Sequence, residues 1–242
     1  MKAMIFAAGL GTRLKPLTDT TPKALVPVSG KPLLGHVLEK LMGAGYDDIT
    51  VNVHHFPDQI ISFLADNHYR VHISDERDLL RETGGGIRFA RPYLDGSEPF
   101  LVHNVDILSN LDLYWFRAQH HEGDLATLLV SERKTQRYLL FDDDGLLRGW
   151  TNIATGEVRS PFGSIDPKKY NMLAFSGIHC ISPEVFSAFE DYGFGERFSI
   201  MDFYLRACAG YPVRAAVYPG LKLLDVGKPD ALAAADVFLR EM

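Results

Sequence analysis

The stretch Met4-Ile5-Phe6-Ala7-Ala8-Gly9-Leu10-Gly11-Thr12-Arg13-Leu14 carries an apolar segment straight into a glycine-bearing loop, with Pro22-Lys23 following shortly after. A short apolar run of this kind reads as a buried strand. Gly9 and Gly11 let backbone N–H groups approach a phosphate with no side chain in the way. Arg13 and Lys23 add the fixed positive charge that a triphosphate requires. The pattern predicts a nucleotide-handling loop at the carboxyl end of a parallel strand, where open α/β sheets hold their ligands. It is not a P-loop, because G-x-x-x-x-G-K-[ST] is absent. Nor is it the dinucleotide fingerprint, because Thr12-Arg13-Leu14 stands where a third glycine is needed.

Outward from this loop the first half alternates. Strand-like segments at Lys2–Ala7, Ile49–Val53, Arg70–Ser74 and Phe100–His103 enclose helical patterns at Leu33–Ala44 and Asp58–Ala65. A third helix is expected at Ile87–Arg91, after Gly84-Gly85-Gly86. This rhythm predicts a Rossmann-like α/β fold, a mixed and mainly parallel sheet with helices on both faces. The second half reads as strands at Leu125–Ser131, Tyr138–Phe141, Leu146–Trp150, Leu173–Ile181, Val213–Tyr218 and Leu223–Asp225. Helices are expected at Pro183–Phe189, Ile200–Ala209 and Pro229–Arg240. Asp142-Asp143-Asp144-Gly145 reads as a solvated turn, since the glycine and glutamate spacing of a calcium loop is missing. Thr151–Lys169 reads as one long loop.

At 242 residues, 46% hydrophobic and 23% charged, the chain suits a single well-filled domain. A formal net charge of −6 argues against nonspecific nucleic-acid binding while leaving room for a local basic pocket. The two cysteines, Cys180 and Cys208, lie in apolar surroundings and are expected to be reduced and buried. The histidines His36, His54, His55, His103, His120, His121 and His179 show no zinc spacing and are read as structural or solvent-facing. The N-terminal segment has no signal-peptide core, and no apolar run approaches the length of a membrane span. A cytoplasmic protein with no membrane partner is expected. No heptad or repeat marks an interface, so monomer and homodimer are both open.

The opening residues resemble a known family. Ala7-Ala8-Gly9-Leu10-Gly11-Thr12-Arg13-Leu14-Lys15-Pro16-Leu17-Thr18, followed by Pro22-Lys23-Ala24-Leu25-Val26-Pro27-Val28, is similar to the start of the sugar-1-phosphate nucleotidyltransferases, the nucleoside-diphosphate-sugar pyrophosphorylases. Two further segments extend the likeness. Asn104-Val105-Asp106 resembles that family's N-G-D, with Val105 in place of glycine. Leu223-Leu224-Asp225-Val226-Gly227-Lys228-Pro229 resembles W-x-D-x-G-T-P, with Leu223 for tryptophan and Lys228 for threonine. The resemblance implies one nucleotidyltransferase domain over 1–242, with residues of about 1–110 holding the nucleotide. Residues of about 111–242 would form a small lobe for the sugar phosphate.

It also implies roles. Asp106 and Asp225 would hold Mg²⁺, Arg13 would take the β- and γ-phosphates, and Lys23 would sit beside the α-phosphate. The backbone of Ala8, Gly9, Gly11 and Thr12 would cradle the triphosphate. Glu82, Thr83, Gly84 and Gly85 would face the base, and Asn104 and Gly177 the sugar. Lys168 or Lys169 is a candidate cation for the sugar phosphate.

Arg81-Glu82-Thr83-Gly84-Gly85-Gly86 resembles the glycine loop of the N-acetylmuramate-1-phosphate uridylyltransferases, bacterial enzymes of cell-wall sugar recycling, which favours UTP and N-acetylmuramate 1-phosphate as partners. The alternatives are a guanylyltransferase for mannose or heptose 1-phosphate, and then a phosphocholine cytidylyltransferase. The last would need an aromatic cage, for which Trp150, Phe162 and Tyr170 are available. A non-enzymatic alternative is an inactive sugar-nucleotide sensor, against which the joint presence of Arg13, Lys23, Asp106 and Asp225 argues.

Overall fold

The computed structural model describes residues 1–241. Its centre is a mixed ten-stranded sheet. Along the main path the order is Glu157–Arg159, Leu147–Asn152, Arg137–Phe141, Asn171–Ile181, Phe100–Asn104, Lys2–Phe6, Asp48–Val53 and His72–Asp75. The last four are mutually parallel. Asn171–Ile181 joins them antiparallel to Phe100–Asn104 and also pairs with Ala126–Ser131, which carries Val213–Val217. This is the expected Rossmann-like class, with helices on both faces.

Alternation along the strands builds two cores. Ala3, Ile5 and Leu101 point to one face, where helix Leu33–Gly43 lays down Leu34, Val37, Leu38 and Leu41. Met4, Phe100 and Val102 point to the other, against Phe189, Phe203 and Tyr204. Each fully buried Leu or Phe contributes about 1.5–3 kcal/mol, so the sheet is clamped hard from both sides. The closing helix spans Pro229–Arg240, as read from the sequence. Among the described residues, no helix is long and apolar enough to cross a membrane.

Three expectations change. The helix placed after the glycines begins before them, at Glu82–Phe89, and contains all three. A β-carbon on Gly84 would collide with the Phe198 ring, and one on Gly85 with the backbone oxygen of Glu196. The missing side chains let this helix touch the 196–198 segment. Secondly, Thr151–Lys169 is not one loop. Leu147–Asn152 and Glu157–Arg159 form a hairpin, and Pro167–Lys169 is a short 3₁₀ turn. Thirdly, helix Leu113–Ala118 and strand Ile107–Ser109 were not foreseen.

The acidic turn is as expected. Asp142 Oδ1 accepts from Asp144 N and Leu146 N, at 3.1 and 2.8 Å, and Arg148 Nε donates to Oδ2 at 2.6 Å. Cys180 and Cys208 are free and buried, and burial pushes their thiols up to about 12 and about 11. They are inert packing residues.

Candidate active site

Strand Lys2–Phe6 ends at the carboxyl edge, and the chain turns there through Gly11, which adopts φ 64°. A β-carbon at Gly11 would also lie 2.8 Å from Thr18 Cγ2, so glycine is required twice over. Thr18 Oγ1 donates to the Gly11 carbonyl at 2.8 Å and closes the loop on itself. The exit of the strand is fixed from behind. Ala7 N donates to Asn52 Oδ1 at 2.8 Å, and Asn52 Nδ2 donates to Glu76 Oε1 at 2.7 Å. Glu76 is fully buried, which raises its carboxyl pKa, and its other oxygen accepts from Arg81 N at 3.3 Å. One buried chain of hydrogen bonds thus joins the glycine loop to the start of helix Glu82–Phe89.

The two candidate metal carboxylates meet through a strand pair. Ile107–Ser109 runs antiparallel to Leu223–Asp225, with Ile107 opposite Asp225. Val226 N donates to the Asp106 carbonyl at 2.8 Å. Residues from distant parts of the chain therefore stand at adjacent strand ends. Lys23 Nζ forms an ion pair with Asp106 Oδ2, and both side chains are mostly shielded. Asp225 Oδ1 accepts from Gly227 N at 2.9 Å.

Gly227 also makes room for Arg13. A β-carbon there would collide with Arg13 Nη2 and lie 2.7 Å from Asp225 Oδ1, so the guanidinium rests against the Asp225 turn. Gly227→Ala is expected to fold normally, because the atoms in its way are the ends of the Arg13 and Asp225 side chains and not backbone. It should displace that guanidinium and lower kcat/KM by about 10- to 100-fold, the usual consequence of ångström-scale misplacement. Parallel melting curves and steady-state kinetics would check this; unchanged kinetics would remove Arg13 from the site.

These groups face two adjoining cavities. The smaller, of about 430 Å³, is lined by Ala8, Gly9, Lys23, Asn52, Glu82, Thr83, Asn104, Val105 and Asp106. The larger, of about 890 Å³, is lined by Arg13, Asp225 and Lys228, with Arg133, Lys134, Arg137, Trp150, Arg159 and Asp202 among the rest of its wall. Ser199 borders both. Glu82 sits at φ 61°, an uncommon geometry for a side chain of its kind, and Arg197 Nε donates to its Oε1 at 3.1 Å. Thr83 Oγ1 accepts from Ile200 N at 2.9 Å.

The remaining sequence candidates are placed as follows. Gly11 and Thr12 lie off both cavity walls, in the turn below them. Gly84 and Gly85 are also off the walls, and their N–H groups donate to the Phe198 carbonyl at 2.9 and 3.2 Å. Gly177 lies behind Asn104; at φ 77°, a β-carbon there would stand 2.9 Å from Asn104 Nδ2. Lys168 and Lys169 are exposed and off the walls, whereas Lys228 stands on the larger one. Leu223 is half-buried against the core. Trp150 reaches the larger cavity, but Phe162 packs under Arg148 and Tyr170 is elsewhere, so these three build no cage.

Sequence reading missed Asn52, Ser199 and the basic wall. Asn52 was visible as an amide inside an otherwise apolar strand, a position that demands partners. The histidines are structural: His54 Nδ1 lies 2.7 Å from the Glu76 carbonyl, and His120 lies 2.9 Å from Thr127 Oγ1 and 2.8 Å from Ser182 Oγ.

Comparison with known proteins places the chain in a family. The profile of the family described as Nucleotidyl transferase matches residues 2–141. An N-acetylmuramate alpha-1-phosphate uridylyltransferase of Caulobacter vibrioides is 35% identical over 99% of this chain and 97% of its own length. A protein of the same description from Neisseria meningitidis serogroup B is 38% identical, over 78% of this chain and 79% of its own. The crystal structure of HddC from Yersinia pseudotuberculosis complexed with GMP-PN superposes with a TM-score of 0.76 at 25% identity, covering 98% of this chain and 99% of that one.

Proposed function

The chain belongs to the nucleotidyl transferase family and is a sugar-1-phosphate nucleotidyltransferase, and on that premise we propose that it joins UTP to N-acetylmuramate 1-phosphate and releases pyrophosphate. The observation that carries the reading is the strand pair that brings Asp106 and Asp225 to one edge between two cavities. The full-length likeness to the two uridylyltransferases supports the choice of substrates. In this proposal residues of about 1–110 serve the nucleotide and those of about 111–242 the sugar phosphate.

The reaction is a displacement at phosphorus. An oxygen of the sugar 1-phosphate forms a bond to the α-phosphorus, and the bond to the β-bridging oxygen breaks, carrying its electron pair to pyrophosphate. No protein nucleophile is required; charge neutralisation and in-line placement do the catalysis. Lys23 faces the smaller cavity and neutralises the α-phosphate as it is attacked. Arg13, held against the Asp225 turn, and Lys228 beside it take the charge building on the leaving group. Asn52 and Glu76 hold the loop exit still while this happens. Glu82 and Thr83 border the base, and Asn104 the sugar side.

Asp106 and Asp225 suit Mg²⁺, which takes hard oxygen ligands and usually only one or two protein carboxylates, with phosphate and water filling the rest. Bound there, the ion would offset the negative charge of the two phosphates as they approach.

A guanylyl donor is the second reading, favoured by the likeness to the structure containing GMP-PN. Pyrophosphate release with Mg²⁺ separates the two, testing UTP, GTP, CTP and dTTP against N-acetylmuramate, mannose, glucose and heptose 1-phosphates and phosphocholine. Turnover confined to UTP with the muramate substrate is expected. Turnover with another pair would overturn the substrate choice, and tight nucleotide binding without turnover would favour a sensor.

A further inference from the structure

The larger cavity is basic in an acidic protein. Its wall carries Arg13, Arg133, Lys134, Arg137, Arg159 and Lys228 against Asp202 and Asp225, in a chain of formal net charge −6. Arg13 and Lys228 belong with the phosphates beside Asp225. The other cations need a separate account.

Strand geometry supplies one. In the antiparallel hairpin Trp150 lies opposite Leu139 on one side and Arg159 on the other, while Arg137 is two residues before Leu139. Side chains two apart share a face, as do directly paired ones. One face of these strands therefore presents Arg137, Leu139, Trp150 and Arg159, all on the cavity wall. It is an apolar floor flanked by two guanidinium groups. Arg159 is already engaged: Nη2 lies 2.7 Å from Asp202 Oδ1, and its Cζ is 5.8 Å from the Trp150 ring centre. Arg133 Nη2 donates to the Phe175 carbonyl at 3.0 Å. Arg137 has no carboxylate partner among the described residues, although it stands on the same face as Leu139 and Trp150.

A solvated surface arginine has no need of an apolar floor beside it. A sugar ring that lies on Trp150 and projects an acidic substituent sideways would use both. The anomeric phosphate is committed to the reacting α-phosphorus near Asp106 and Asp225, so it cannot also occupy this face. We propose that the Arg137 face, with Trp150 as its floor, is a subsite for a second anionic group on the acceptor, a carboxylate carried on the sugar ring. This rests on the sugar-1-phosphate reading above and deepens it. Arg137 selects acidic sugar phosphates over neutral ones by a charge-assisted, fork-shaped hydrogen-bond pair.

The test compares N-acetylmuramate 1-phosphate with N-acetylglucosamine 1-phosphate, which has the same ring without the lactyl acid. Initial rates with UTP would be measured for the wild type, Arg137→Gln and Arg137→Lys. The readout is the ratio of kcat/KM for the acidic acceptor to that for the neutral one. The wild type should favour the acidic acceptor by at least about tenfold. Arg137→Gln should lower the ratio about 10- to 100-fold, mainly through the KM of the acidic acceptor. Arg137→Lys should fall between, because it keeps the charge and loses the fork.

Equal losses with both acceptors, or a wild type indifferent to the acid, would overturn the subsite and leave nucleotidyl transfer standing. Preference for the neutral acceptor would overturn it as well. Absence of turnover with UTP and either acceptor would instead bring down the proposed choice of substrates on which it rests. Arg137 is exposed, so these variants should fold, and a melting curve for each confirms it.

Discussion

Asp106→Asn is expected to keep the fold and nucleotide affinity within a few-fold, and to lose on the order of 10²-fold or more in kcat. The separation of effects follows from which atoms do what. The ladder that brings Asp106 to Asp225 uses the Asp106 backbone carbonyl, which accepts from Val226 N at 2.8 Å. Asparagine keeps that carbonyl and the side-chain volume. What it removes is one unit of negative charge, facing a cavity where two phosphate groups must come together. Lys23 loses its ion-pair partner in the same step.

In the resting chain that pair holds the lysine and the carboxylate on one another. A phosphate arriving beside Lys23 would release the carboxylate for a cation. Asp225→Asn should behave similarly, since its carboxylate also accepts from Gly227 N at 2.9 Å and borders Arg13. The double variant should be little worse than the weaker single one, because groups acting as a unit lose their effect together. Rates with UTP, calorimetric nucleotide affinity and melting curves would be measured on all three. A normal kcat for Asp106→Asn would remove the carboxylate pair from the chemistry.

The sequence disclosed the parts of this site more fully than their assembly. Gly9, Arg13 and Lys23 are legible as wall residues because they follow closely on a strand that ends at the sheet's carboxyl edge, whereas Gly11 serves the turn itself. Helix Leu33–Gly43 is legible because its apolar residues recur at helical spacing over a single face. Helix Glu82–Phe89 is misplaced by sequence because three glycines disfavour a helix by about 1 kcal/mol each relative to alanine. Contact with Phe198 and Glu196 overrides that cost, and only tertiary structure contains the contact.

The hairpin at Glu157–Arg159 is hidden for another reason. All three residues are exposed, so the edge strand has no buried face to impress a period-two pattern. With that strand unrecognised, Arg159 could not be paired with Trp150, and the basic face of the larger cavity stayed out of reach. Lys168 and Lys169, the cations at the end of the apparent loop, lie instead in an exposed 3₁₀ turn off the cavity walls. The pairing of Ile107–Ser109 with Leu223–Asp225 is a short, non-local ladder. Sequence places Asp225 at the end of one strand and Asp106 after another, misses Ile107–Ser109, and so cannot register the two carboxylates against each other.

Acid should weaken this protein steadily from about pH 6.5 downward. His103 and His179 are both fully buried, and burial lowers their pKa values to about 4 and about 3. Each is held by one ring nitrogen: His103 Nδ1 lies 2.8 Å from the Asn104 carbonyl, and His179 Nδ1 lies 2.7 Å from Tyr204 Oη. Their Nε2 atoms have no hydrogen-bond partner. Both rings are therefore neutral in the folded chain, while in the unfolded chain they take up protons near the ordinary histidine value of about 6.5.

The unfolded state binds more protons between those limits, so stability is fully present above about pH 6.5 and falls as pH drops toward 4 and below. The slope is about 1.4 kcal/mol per pH unit for each histidine, or roughly 5 kcal/mol for both between pH 6.5 and 4.5. That is a large share of a typical domain's total stability, about 5–15 kcal/mol. Glu76 acts in the opposite sense, because burial raises its carboxyl pKa and the folded state gains its proton first. It is one group against two. Lys40 and Asp106 lie near enough to His103 to influence it, and their effects have opposite signs.

Urea midpoints measured from pH 7.5 to 4.5 should fall steadily below 6.5. His179→Asn keeps a polar atom near Tyr204 and removes one titrating ring, so its midpoint should fall about half as steeply. A wild-type midpoint that stays level across this range would mean that the two rings accept protons in the folded chain. The sheet between Phe100–Asn104 and Asn171–Ile181, which carries the Asn104 side of the site, would then open to water more readily than its packing indicates.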